Sequence, residues 1–185
     1  MAIVIVIVLV VLVVLIGLYL MLSYNGLVKV RNRIENGWAQ IEVQLKRRHD
    51  LIPTRVETVK GYATHEKATF EAVINARNSA MSATGPAGAA AGENALTGTL
   101  KSLFALGEAY PDLKANTNFL NLQEELSGTE GKIAYARQYY NDEVRSYNTK
   151  VQSFPTNAIA NKFGFKEREY FQAPEGERDP VEVKF

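Results

Sequence analysis

From Ala2 to Leu22 the chain reads AIVIVIVLVVLVVLIGLYLML, an apolar run with no polar alternation, in which 17 of 21 residues are Ile, Val or Leu. The β-branched bias suits a buried strand, but strands rarely pass about ten residues, so length predicts a helix. At ~1.5 Å per residue the run spans about 31 Å, which matches a hydrocarbon core of ~30 Å. A cleaved signal peptide would open on positive charge, carry a shorter apolar core and end at a small-x-small site. Here no side-chain charge precedes the run and Ser23-Tyr24-Asn25 is a poor cleavage site, so an uncleaved anchor is expected. Lys29, Arg31 and Arg33 follow just beyond it. By the positive-inside rule they place the N-terminus outside and the bulk of the chain in the cytoplasm, as a single-pass protein. The same three cations are read either as a solvated helix face or as contacts to anionic lipid headgroups, each worth about 1 kcal/mol near the surface.

Beyond the anchor the apolar period changes to that of an amphipathic helix. Leu27, Val30, Ile34, Trp38, Ile41 and Leu45 step by three or four. Pro53 then either kinks one long helix or begins a second at its first turn. Ile52, Val56, Val59, Ala63, Phe70 and Val73 resume the stripe, so residues 25–80 are expected to form a kinked rod of about 80 Å. The uncharged stretch SATGPAGAAAG, residues 82–92, reads as a flexible loop. Leu96, Leu100, Leu103 and Phe104 mark a short helix, and Asp112 is the expected cap of the next. The last long helix has the cleanest stripe. Phe119, Leu122 and Leu126 lead into Ile133, Ala136, Tyr140, Val144, Tyr147, Val151 and Phe154. From Ile133 the steps average about 3.5, the period of coiled-coil-like packing. Thr156 to Phe163 add one or two turns.

These patterns predict an all-α protein: one transmembrane helix continuing into an antiparallel bundle of three to four long helices. The expected division is an anchor over residues 1–23, a cytoplasmic bundle over 24–172 and a poorly ordered, Pro- and Glu-rich tail over 173–185. A last helix of about 63 Å would leave part of an ~80 Å rod uncovered. Surface around Trp38 is then expected to pack on a neighbouring subunit. Asn25, Asn32 and Asn36 recur on one side of the first helix, where polar residues in a seam set register.

Composition narrows the function. With 21 basic and 20 acidic residues the formal net charge is +1, which disfavours a dedicated nucleic-acid binder. The absence of Cys excludes disulfides, thiolate metal sites and Cys nucleophiles. His65-Glu66 lacks the second His of a zinc-protease helix, and His49 lies on another face, so both read as surface histidines beside carboxylates. There is no Gly-x-Ser-x-Gly elbow and no phosphate loop. Glu124-Glu125 and Glu167/Glu169 are pairs in sequence only. No catalytic, cofactor or metal residue is nominated, and no enzyme activity is expected.

Two clusters are less bland. Within Lys46-Arg47-Arg48-His49-Asp50, Arg48 and Asp50 either pair across to another helix or subunit or are plain solvated charge. In FGFKEREYF, residues 163–171, the rings Phe163, Phe165, Tyr170 and Phe171 either staple a return segment onto the bundle or form a partner-docking edge.

The segments YNGLV, RNRIENGWAQIEVQLKRRHDLIP, VETVKGYATHE and FPTNAIANKFGFKEREYFQA resemble the LemA family, from the anchor to about Pro174. Gly37 stands where an Ala is usual, and Thr54-Arg55 replaces a commoner Asn-Leu. The resemblance implies a bacterial protein with one N-terminal membrane helix, a cytoplasmic antiparallel bundle and no established enzymatic activity. Family genes often neighbour membrane-linked proteases or predicted membrane hydrolases, and some relatives belong to systems that build internal bacterial membranes. The expected function is therefore a homo-oligomeric scaffold that organises or remodels the inner membrane. The alternative is a monomeric or dimeric adaptor for a membrane protease or hydrolase.

Overall fold

In the computed structural model, which describes residues 1–63 and 65–172, helix α1 runs without a break from Ala2 to Val59, with Pro53 inside it. A 3-10 turn at Lys60–Tyr62 ends it. Helices α2 (Lys67–Ser82), α3 (Gly85–Ala109), α4 (Pro111–Lys114), α5 (Thr117–Gln152) and α6 (Thr156–Phe163) follow. There is no strand among the described residues. The tail expected over 173–185 lies outside them.

Pro53 has no N–H, so the carbonyl of His49, one turn back, loses its intrahelical partner. Arg77 of α2 replaces it, donating from Nε to that carbonyl at 2.7 Å. The proline neither starts a helix nor ends one, because a neighbouring side chain satisfies the group it frees. Arg77→Met should leave the carbonyl unpaired and cost about 1–3 kcal/mol, read as a shift in the urea midpoint.

Three sequence expectations change here. The rod over 25–80 is interrupted after Val59, so α1 and α2 are separate helices. The loop over 82–92 is mostly helix, because Ala is the strongest helix former and Pro86 stands in the first turn of α3. Ala83 and Thr84 alone link α2 to α3. The small residues serve close approach: a Cβ on Gly92 would lie 2.8 Å from Ala80 Cα. Finally, α5 begins at Thr117, and its cap is Asn116, whose Oδ1 accepts from the backbone N–H of Asn118 at 2.9 Å and of Phe119 at 3.2 Å. Asp112 lies instead in the first turn of α4.

The chain forms two compact units, both of which include parts of α1 and α5. The first comprises Met1–Trp38 and Tyr139–Arg168. Leu27, Val30 and Ile34 of α1 are buried there with Tyr140, Val144, Tyr147 and Val151 of α5. The helices run antiparallel, with Gly37 against Tyr139 and Arg33 beside Glu143. Among the described residues the second comprises Ala39–Gln138 and residues 169–172. It is an up-down-up-down bundle of α1, α2, α3 and α5. Ile52, Val56, Val59, Phe70, Val73, Leu96, Leu103, Leu113, Phe119 and Leu122 make its core.

The excess rod length that would have bared Trp38 is absent. Helix α5 has 36 residues, as many as stretch 24–59 of α1. Trp38 is half-buried, its ring 5.8 Å from that of Tyr140. Asn25, Asn32 and Asn36 are all exposed, so they form no buried seam within the chain.

Candidate functional site

One end of the first unit is built around the exit of the apolar run. Side chains from Ile3 to Leu22 stand exposed, as a lipid-facing helix requires. About two to three turns further, Lys29 and Arg33 are exposed and Arg31 is half-buried. Arg31 stacks over the Phe165 ring at 5.6 Å and lies 4.0 Å from Glu35. Arg33 lies 3.7 Å from Glu143. The return segment after α6 is held by a side-chain amide. Asn148 donates to the carbonyl of Arg168 and accepts from its N–H, both at 2.9 Å. Phe165 is thereby buried against Tyr24, ring to ring at 5.5 Å, whereas Phe163 and Tyr170 keep exposed faces.

In the second unit Arg48 is 3% exposed, and every partner it has among the described hydrogen bonds and ion pairs comes from another helix. One terminal nitrogen donates to Glu93 Oε2 at 3.0 Å. The other donates to Thr97 Oγ1 at 2.7 Å and lies 3.1 Å from Glu130 Oε2. His49 Nε2 shares a 2.6 Å hydrogen bond with Glu93 Oε1. Glu93, 4% exposed, thus spends one oxygen on Arg48 and the other on His49. The cluster ties α1 to α3 and α5 and borders a cavity of about 310 Å³ that Phe171 also lines. Phe171 is buried. His49 is therefore a buried tie, not a surface histidine, because Glu93 supplies the acceptor that lets it leave water. Asp50 faces the other way and pairs with Lys46 at 2.7 Å in solvent.

The sequence reading marked Arg48 but missed Glu93, Thr97 and Glu130. The available signal was Glu93 itself, the first charge after fifteen uncharged residues. No group of His, Cys, Asp or Glu among the described residues could hold a metal ion.

Two tyrosines carry a pH dependence. Burial pushes the Tyr147 phenol above its ordinary value of 10.0, and the nearby guanidinium groups of Arg168 and Arg31 oppose this only in part. Tyr110 is raised because its hydroxyl donates to Glu66 Oε1 at 2.9 Å. A phenol whose folded value exceeds its unfolded one stabilises the fold fully below pH 10.0, and that stability is lost as pH rises through the folded value. Urea midpoints should therefore fall between about pH 9 and about pH 11, and fall less in Tyr147→Phe.

The arrangement defines a class: a helical protein with one helix long and apolar enough to cross a membrane, followed by helices that pack together. The LemA family model matches residues 37–185. "Protein LemA" of Metamycoplasma hominis is 30% identical over 163 residues, covering 86% of this chain and 73% of its own length. "Magnetosome protein MamQ 2" of Paramagnetospirillum magneticum is 26% identical, covering 88% of this chain and 69% of its own. "Magnetosome protein MamQ" of Magnetospirillum gryphiswaldense is 25% identical, with 85% and 68% covered. The chain belongs to the LemA family.

Proposed function

We propose that this chain is a self-associating helical scaffold that organises or remodels the bacterial inner membrane, anchored once, with its bulk in the cytoplasm, and not an enzyme. The observation that carries self-association is a cleft of about 590 Å³ between α1 and α5 in the second unit. Ala39, Gly128, Gly131 and Ala136 line it with little side-chain volume. Val43 and Tyr135, also lining it, are 63% and 74% exposed. A large apolar pair standing in solvent around a small-residue floor suits a neighbouring helix. Relatives named as magnetosome proteins support a role at a bacterial membrane.

The chain has no Cys, so a single Tyr135→Cys makes a clean reporter. In native membranes it should cross-link copies of the chain to one another, and Val43→Glu should abolish the cross-link. Cross-linking that Val43→Glu leaves intact, or none at all, counts against the proposal. The adaptor for a membrane protease or hydrolase is the second reading, favoured by the exposed ring of Tyr170. Tyr170→Ser would then lose a co-purifying membrane protein.

A further inference from the structure

Helix α6 is short, and its ends sit at fixed heights on the anchor helix. At its start, the hydroxyls of Thr156 and Tyr19 share a 3.3 Å hydrogen bond. At its end, the Phe163 ring meets the edge of Tyr24 at 5.0 Å. Tyr19 lies three residues before the end of the apolar run and Tyr24 two residues after it. At ~1.5 Å per residue, both ends of α6 lie within about 5 Å of that boundary along the helix axis. Ile159 and Ala160 are buried. A cavity of about 400 Å³ opens between Ala158, Ile159 and Phe163 of α6 and Leu20, Met21 and Tyr24 of α1.

Beside Ser153, Asn161 and Lys162, what α6 and the turn before it leave uncovered is apolar. Phe154, in the turn before it, is 86% exposed and Phe163 is 55% exposed, with Pro155 and Ala158 also open. Charge follows the same plan. No carboxylate occurs from Val144 to Lys166, where Arg145, Lys150, Lys162 and Lys166 stand, and none occurs before Glu35 in α1. Exposed aromatic rings with Lys and no acid, at the height where acyl chains give way to headgroups, are the chemistry of a helix lying in the membrane interface.

We infer that the segment Ser153–Phe163 is a second membrane contact, an interfacial element that inserts Phe154 and Phe163 among lipids beside the anchor and sets Lys162 at the headgroups. The occupant of this face is the bilayer itself. The inference rests on Ala2–Leu22 spanning a membrane, because that fixes the height of α6. It does not depend on self-association.

The test uses the full chain in vesicles of phosphatidylcholine and phosphatidylglycerol, with single cysteines carrying an environment-sensitive fluorophore. Ala158→Cys reports the proposed contact, Leu12→Cys the span, and Ser102→Cys, at an exposed position of α3, the aqueous reference. Ala158 should emit to the blue of Ser102 and be quenched by lipids brominated high on the acyl chain. Phe154→Ser with Phe163→Ser should shift Ala158 back towards the reference. Emission like that of Ser102 would overturn the inference. So would a blue shift without bromine quenching, which would put a protein on this face. If Leu12 lies in lipid and Ala158 in water, only the inference fails. If Leu12 is also in water, the anchor fails and the inference with it.

Discussion

Glu93→Leu should destabilise the second unit by about 3–5 kcal/mol, as expected when one partner of a buried ion pair is removed. Arg48 and Glu93 are 3% and 4% exposed, so the guanidinium cannot turn to water without opening the bundle. Thr97 and Glu130 would still hold one terminal nitrogen, which keeps the loss near the lower end. Arg48→Met in the same chain should recover part of it, because the stranded guanidinium is gone while buried His49 still lacks its acceptor. Glu93→Gln should fall between, since the amide keeps the shape and loses the charge. Urea melts of the four proteins measure this series. Equal stability of Glu93→Leu and wild type would show that the cluster ties nothing together.

Tyr147→Ala should cost a similar amount in the first unit. Tyr147 is the largest fully buried side chain among the described residues, at 1% exposure. Truncating a buried aromatic costs about 3–5 kcal/mol in lost transfer energy and cavity. Its ring also borders a cavity of about 270 Å³ lined by Gly164, Phe165 and Arg168 of the return segment. The alanine variant should therefore release that segment first, seen as rapid proteolysis after Lys166 or Arg168. Tyr147→Phe keeps the ring and should remain protected. If the alanine variant resists protease as wild type does, Asn148 and the Phe165 contacts hold the return segment without Tyr147.

The apolar stripes were legible in the sequence because burial follows helical period. Leu27, Val30, Ile34, Ile41 and Leu45 are all buried, as are the stripe residues of α5 from Phe119 to Val151. Local chemistry was harder to read. Pro53 signals a free carbonyl but not which residue will satisfy it, and Arg77 lies 24 residues further on. The stretch 82–92 was misread because Gly, Ala and Pro serve turns and close helix contacts alike. Arg48 and Asp50, two residues apart, looked equivalent as charges. A helix turns about 200° between them, so one met Glu93 inside and the other met Lys46 in water. The height of α6 on the anchor was out of reach for the same reason: it follows from Tyr19 meeting Thr156, 137 residues apart.

The most direct test of the scaffold is the particle mass of the full-length chain in mild detergent, by light scattering with direct imaging. A chain lacking residues 1–24 runs beside it. Large, uniform assemblies that shrink on truncation are predicted. A monomer or dimer in both would contradict a self-associating scaffold and leave a membrane partner as what the protein serves.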